Sequence, residues 1–183
     1  MRKKVDLRPA VFVDRDGVIN RRLPGDYVRS WEQFRFLPGA RAGLRLLRES
    51  GYLLVIITNQ RGIGRGLMTE ADLAEVHRRL QVELGRAGAG VDAILHCPHD
   101  TPVGCDCRKP RPGMIERAFR TFPVDRSRSW VVGDSTSDIE AGRAAGLPGI
   151  LVVPRGEVRP PGVQTAGSLL SAARAIVGGA ARR

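Results

Sequence analysis

The stretch Val11-Phe12-Val13-Asp14-Arg15-Asp16-Gly17 carries the decision about fold. A short, wholly apolar run fits a strand buried on both faces, and here it stops abruptly at two acids and a glycine. The same pattern recurs downstream. Leu53 to Ile57 runs into Thr58-Asn59-Gln60, and Trp130-Val131-Val132 runs into Gly133-Asp134-Ser135-Thr136-Ser137-Asp138. A fourth polar segment, Arg108-Lys109-Pro110, stands just before a helix start. Polar residues at the carboxyl ends of several strands in an open α/β sheet converge on one crevice. Two early acids, a hydroxyl, a lysine and two late acids are the parts needed to move a phosphoryl group onto an enzyme carboxylate.

Outward from these segments, strand-like runs at 10–13, 52–58, 93–96, 130–132 and 149–153 alternate with helix-like runs at 40–49, 69–86, 114–122 and 139–145. Such alternation implies an α/β fold: a doubly wound, mainly parallel sheet with helices on both faces. Leu73, Val76, Leu80 and Leu84 recur at helical spacing and read as core. Ser137 followed by Glu140 has the form of a capping box. The proline-rich segment 154–161 reads as a hinge into a last helix at 168–177, and Arg182-Arg183 is expected to fray. The 183 residues fit one domain, 1–183, with 154–183 as its C-terminal hinge and helix. The span between Asp14 and Thr58 is too short for a large inserted cap domain. The loop 20–36, with Tyr27, Trp31 and Phe34, is expected to cover the site instead, while Phe34 and Phe36 pack it onto the sheet.

The net charge is +11, yet Lys3, Lys4 and Lys109 are the only lysines. The arginines are scattered, and no stretch interleaves them with stacking aromatics, so solvated helix faces explain them better than a nucleic-acid partner does. The charge can still attract a small phosphorylated substrate. Met1-Arg2-Lys3-Lys4 resembles the start of a signal peptide, but Asp6, Arg8 and Pro9 interrupt any apolar region. No segment approaches the roughly 20 apolar residues of a membrane span. A soluble, cytoplasmic monomer is expected.

All three cysteines cluster in Cys97-Pro98-His99 and Cys105-Asp106-Cys107. Three thiolates and one imidazole make a full tetrahedral Zn2+ set, and four protein ligands leave no open position, so this zinc would be structural. A disulfide fits poorly, because it would leave one thiol unpaired. Cys107 directly precedes Arg108-Lys109, so fixing the loop fixes two cations. His96 is expected to end a strand with its ring hydrogen-bonded nearby, and His77 is read as structural.

From about Val11 to Val153 the chain resembles the haloacid dehalogenase (HAD) superfamily of phosphatases. The most specific parts are Asp14-Arg15-Asp16-Gly17-Val18-Ile19-Asn20, Thr58 through Gly66, and Cys97 through Met114. Within the superfamily, Gly62-Ile63-x-Arg65-Gly66 and Arg108-Lys109-Pro110-x-Pro112-Gly113-Met114 look like the heptose bisphosphate phosphatases, with the histidinol phosphatases as the related branch. Arg61 departs from the small residue often found at its position.

The resemblance implies a HAD-like phosphomonoester phosphatase with a small-molecule sugar bisphosphate as substrate. It makes Asp14 the nucleophile that becomes an aspartyl phosphate, and Asp16 the acid–base group. Thr58 and Lys109 would hold and neutralise the transferring phosphoryl group. Mg2+ would be held by Asp14, the Asp16 backbone carbonyl and Asp134. Asp138, one turn beyond Asp134, would orient Lys109 or a metal-bound water rather than bind the metal directly. Arg108 is expected to clamp the second, non-reacting phosphate, because a guanidinium fork matches phosphate oxygens. Asn59, Gln60 and Arg61 could line the same pocket, Ser135 its floor, and Pro24-Gly25-Asp26-Tyr27 could meet sugar hydroxyls. The alternatives are histidinol-phosphate phosphatase activity, action on nucleic-acid 3′-phosphates, or a zinc-loop nucleic-acid-binding module.

Overall fold

A computed structural model describes residues 6–154, 156–158 and 161–180. Its centre is β1 (Arg8–Val13), whose last four residues have no solvent exposure. Side chains alternate across a strand, so each half of this apolar run meets a different layer. Val11 and Val13 enter one core, with Leu54 and Ile56 of β2 (Leu53–Asn59). Ala10 and Phe12 enter the other, with Leu53, Val55 and Ile57.

The first core is closed by α1 (Ala40–Glu49), α3 (Glu70–Arg86) and α6 (Leu169–Ala180). The second is closed by α4 (Gly113–Thr121) and α5 (Thr136–Ala144). Leu73, Val76, Leu80 and Leu84 are fully buried, as their spacing predicts. Each large side chain removed from water in this way stabilises the fold by about 1.5–3 kcal/mol. Thr69 caps α3 by accepting from the Asp72 amide, which fixes where the helix begins.

The sheet is parallel throughout, in the order β3-β2-β1-β4-β5-β6, where β3 is Ala93–Cys97, β4 Val124–Gly133, β5 Gly149–Val152 and β6 Gln164–Ala166. The chain winds outward from β1 to β3, then returns to β4 on the other side of β1. That reversal is the switch point at which ligands bind such sheets. Val13 pairs with both Ile56 and Val132, so the polar segments after the three strands emerge at one level.

Several boundaries differ from expectation. β4 starts at Val124, because Arg8 and Pro9 already pair with Val124 and Asp125. The register then shifts between Pro9 and Val11, and the buried Ser129 hydroxyl fills the gap by accepting from the Ala10 amide at 2.9 Å. The short α2 (Arg61–Gly64) and β6 have no counterpart in the sequence reading. The capping box at the start of α5 is not Ser137–Glu140. It is Ser135 with Asp138, whose Oδ2 accepts from the Ser135 amide at 3.0 Å and from its hydroxyl at 2.7 Å.

Between β1 and α1 the described chain holds a single 3-10 turn, Trp31–Gln33, and isolated bridges at Asn20, with no cap domain. Trp31 stacks on Phe34 at 4.9 Å, and Phe34 is buried against the sheet. The expected hinge falls partly, and Arg182-Arg183 wholly, outside the described residues. No helix among them is long and apolar enough to cross a membrane.

Candidate active site

Asp14 follows β1 directly and its amide donates to the Val132 carbonyl, which places the carboxylate over the β1–β4 seam. Lys109 reaches it from the loop before α4. Its Nζ donates to Asp14 Oδ1 at 2.7 Å and to the Ile57 carbonyl at 2.9 Å, and lies 2.6 Å from Asp138 Oδ1. All three groups are nearly inaccessible to water. Burial works against the Lys109 charge, but Asp14 and Asp138 outweigh it and keep the ammonium protonated. The lysine backbone is fixed in turn: Asn59 Oδ1 accepts from the Lys109 amide and Asn59 Nδ2 donates to the Lys109 carbonyl, both at 3.1 Å.

The acids are packed more densely than the described cations neutralise. Burial, opposed by Lys109 and reinforced by the neighbouring acids, pushes the Asp14 carboxyl up to about 7. Burial likewise pushes Asp134 up to about 6, against the pull of Arg22. Carboxylate oxygens of Asp14, Asp134 and Asp138 lie within 4.8 Å of one another. A hard, oxygen-seeking cation such as Mg2+ fits this donor set and would relieve its repulsion. Gly17 keeps the set open: at φ +97° its backbone suits glycine, and a Cβ there would collide with the Asp134 carboxylate.

Asp16 points elsewhere. Its Oδ1 accepts from Asn20 Nδ2 at 2.8 Å, its Oδ2 from Gln60 Nε2 at 2.8 Å, and the Arg15 guanidinium lies 3.0 Å away. Burial alone would raise this carboxyl, but Arg15 with the Asn20 and Gln60 hydrogen bonds holds it below the ordinary range.

A cavity of about 360 Å³ opens over these groups. Asp14, Asp16, Thr58, Asn59, Lys109 and Ser135 line it from the sheet side, and Gly25, Asp26 and Tyr27 from the loop. Pro24, Gln60, Arg61 and Asp134 are not in its lining. Gln60 instead holds Asp16, and Arg61 pairs with Asp100. Arg108 lines a smaller cavity of about 210 Å³ that shares Lys109, and donates to the His99 carbonyl at 3.4 Å.

Two arginines line the main cavity: Arg65, one of the cations that the sequence places around the pocket, and Arg22, which sequence reasoning passed over. Arg22 Nη2 reaches Asp134 Oδ1 at 2.8 Å with its side chain half exposed. Only Arg65 carried a sequence signal, the Gly-Ile-Gly-Arg-Gly segment. Of the expected cations, Lys109 and Arg65 are therefore in place, Arg61 and Arg108 lie outside the lining, and Arg22 is an addition.

Beside the site, Cys97, His99, Cys105 and Cys107 gather as their spacing predicts. His99 Nδ1 is 3.2 Å from Cys107 Sγ and 3.6 Å from Cys97 Sγ, and the Cys97 and Cys105 sulfurs are 3.5 Å apart. None of the thiols is in a disulfide. Three sulfurs and one imidazole nitrogen within 4.8 Å can hold one soft tetrahedral ion. His96 ends no strand, since β3 runs on to Cys97, but its Nε2 is bonded to Glu70 at 2.9 Å.

Comparison with known proteins agrees with this geometry. Residues 106–167 match the HAD-hydrolase-like family. The chain is 47% identical to the D-glycero-beta-D-manno-heptose-1,7-bisphosphate 7-phosphatase of Rhodopseudomonas palustris, over 78% of this chain and 82% of that one. It is 48% identical to the D-glycero-alpha-D-manno-heptose-1,7-bisphosphate 7-phosphatase of Mycobacterium bovis, over 71% and 69% respectively. The crystal structure of D,D-heptose 1,7-bisphosphate phosphatase from B. bronchiseptica, complexed with magnesium and phosphate, superposes with a TM-score of 0.85. That match has 33% identity and covers 93% of this chain and 99% of the other.

Proposed function

We infer the reaction from the family: this chain belongs to the HAD-like heptose-1,7-bisphosphate 7-phosphatases. It hydrolyses the 7-phosphate of D-glycero-D-manno-heptose 1,7-bisphosphate, with Mg2+, to give the 1-phosphate and inorganic phosphate. The observation that carries this reading is the pairing of Asp14 with Lys109 at 2.7 Å beneath a cavity that has Arg22 and Arg65 in its wall. Two guanidiniums suit a bis-anion and disfavour the cationic imidazole of histidinol phosphate.

In the proposed mechanism Asp14 attacks phosphorus, forming an aspartyl phosphate as the bond to the sugar oxygen breaks. Asp16, held ionised in the free site, takes up a proton when the phosphate charge of the substrate arrives beside it, and gives that proton to the sugar oxygen. It then takes a proton from the water that attacks the aspartyl phosphate, which frees phosphate and restores Asp14. Acid–base help of this kind is worth roughly 10²–10⁴-fold. Lys109 and the Thr58 hydroxyl hold the phosphoryl oxygens, and Asp138 holds Lys109. Mg2+, bound by Asp14, the Asp16 carbonyl and Asp134, would supply the neutralisation that lets a carboxylate approach a phosphate dianion. Arg65 and Arg108 would share the second phosphate, with Gly25, Asp26, Tyr27, Asn59 and Ser135 around the sugar.

Structural zinc at Cys97, His99, Cys105 and Cys107 would fix the loop that presents Arg108 and Lys109. Three free thiols beside one another suit a reducing cytoplasm, and the enzyme is proposed to work there as a single-domain monomer.

Phosphate release from the α and β anomers of the heptose bisphosphate, and from histidinol phosphate, tests the assignment. A higher kcat/KM on either bisphosphate anomer is the expected result; a preference for histidinol phosphate overturns it.

A further inference from the structure

Arg15 is a charged side chain with no solvent exposure. Such a charge is costly unless it is paired and its hydrogens are satisfied. Its carboxylate partner is Asp16, with Nη2 3.1 Å from Oδ1 and 3.0 Å from Oδ2. On the other side, Nη1 lies 3.0 Å from His77 Nε2. The Arg15 Nε has no partner among the described residues. The guanidinium is thus stretched between the reacting loop and a residue of α3, far away in sequence.

His77 meets Arg15 as an acceptor. An arginine can only donate, so the Nε2 that faces it carries no proton. Burial and the neighbouring Arg15 charge hold the ring neutral, its pKa lowered to about 3. The ring is itself braced from outside: it packs edge-on to His96 at 5.9 Å, and His96 is bonded to Glu70. Of the side chains that grip Asp16, Asn20 and Gln60 are anchored close to the site. Arg15 alone carries a charge, and its far end is fixed by His77.

We propose that His77 is a positioning residue for the reaction: by holding Arg15, it sets the direction in which the Asp16 carboxylate faces the substrate. The inference rests on the reading of Asp16 as the acid–base group. Without an acceptor at the position of Nε2, a buried N–H of Arg15 loses its partner. The guanidinium then turns toward another acceptor and releases Asp16 from its aimed position.

Two amide substitutions separate this role from packing. In His77→Gln the side-chain oxygen reaches the position of Nε2; in His77→Asn it reaches only that of Nδ1. The readouts are kcat and KM on the heptose bisphosphate, and the single-turnover burst of phenolate from 2,4-dinitrophenyl phosphate, whose leaving group needs no proton. His77→Asn should lower kcat on the sugar substrate by roughly 10-fold or more, a fraction of the usual acid–base contribution, with KM and the burst within about twofold of wild type. His77→Gln should stay within about threefold on all readouts. Equal losses for Asn and Gln, or equal losses on both substrates, overturn the proposal. Should His77→Asn not fold, Arg15→Lys takes its place, since it keeps the buried charge but cannot span from Asp16 to His77. Asp16→Asn is run in parallel. If it turns over the sugar substrate normally, the reading of Asp16 itself fails. If it is inactive while His77→Asn is unimpaired, only the positioning role of His77 fails.

Discussion

Arg61 Nε is ion-paired with Asp100 Oδ1, and this pair ties the turn after β2 to the cysteine loop. It is not alone. The Gly64 amide donates to the Pro98 carbonyl at 2.8 Å, and the Gln60 amide to the Cys97 carbonyl at 2.8 Å. Gly64 packs so closely that a Cβ there would come 2.6 Å from the Asp100 amide nitrogen. The departure at Arg61 thus has a local use: it fastens the cysteine loop to the segment that carries Arg65.

Removing that fastener should loosen the loop without unfolding the protein. A single ion pair that water still reaches contributes little to global stability, so the melting temperature of Arg61→Ala should barely change. Zinc transfer to a chelator should speed up several-fold, and the swap Arg61→Asp with Asp100→Arg should restore the wild-type rate. Unchanged zinc release in Arg61→Ala would mean that the backbone bonds hold the loop by themselves.

One zinc per chain should co-purify with reduced protein, and Cys107→Ser should lose it. Zinc added to metal-stripped enzyme should refill the thiolate site but not replace Mg2+ in catalysis, because the two donor sets differ in softness. Elemental analysis combined with a phosphate-release assay checks both statements.

If Asp14 is the nucleophile, Asp14→Asn should abolish turnover while leaving the fold intact, because Lys109 stays paired with Asp138 at the rim of the sheet. Circular dichroism and a phosphate-release assay with Mg2+ read the two halves of this expectation. Appreciable Mg2+-dependent turnover would remove Asp14 from the mechanism.

Much of this arrangement is legible in the sequence, for identifiable reasons. Residues 10–13 of β1 and 53–57 of β2 are buried on both faces, so these stretches are uniformly apolar and their carboxyl ends are sharp. The cysteine cluster is legible because its four donors are close in sequence. The first half of β4 is not, since Asp125 to Ser129 are polar and belong to a strand only through pairing with Arg8 and Pro9. The α5 cap is hidden because Ser137 and Glu140 match the usual pattern, whereas Asp138 serves both as the box partner of Ser135 and as a support for Lys109. Arg22 with Asp134, and Arg15 with His77, join residues far apart in the chain, and nothing local in the sequence announces such pairs.

The neutral His77 should leave a mark on stability. Its folded pKa of about 3 lies below the ordinary value of 6.5. Between these values the unfolded chain binds a proton that the folded chain refuses, so stability is full above about pH 6.5 and falls as pH drops. The loss from this group between pH 7 and 5 is about 2 kcal/mol. Raised carboxyls such as Asp14 and Asp134 act in the opposite direction, but they are present in wild type and variant alike. Urea titrations of wild type and His77→Gln should therefore show a smaller loss on acidification in the variant. Parallel pH dependences would mean that His77 titrates normally in the folded state.

The sharpest test of substrate class concerns the cations at the two cavities. Arg65 lines the main one, and Arg108 lines the smaller one that shares Lys109. If they share the phosphate that does not react, Arg65→Ala and Arg108→Ala should each lower kcat/KM for the heptose bisphosphate. The same changes should scarcely affect p-nitrophenyl phosphate, which has nothing to reach them. A charge-assisted contact to phosphate is worth about 2–3 kcal/mol, or roughly 30–150-fold in kcat/KM. Remote binding energy can also align the reacting phosphate, so part of the loss should fall on kcat. If both residues serve one anion, the double variant should lose less than the product of the single losses. Equal losses on both substrates would assign these arginines to the reacting phosphate or to the fold, and the bisphosphate reading would lose the support of the pocket.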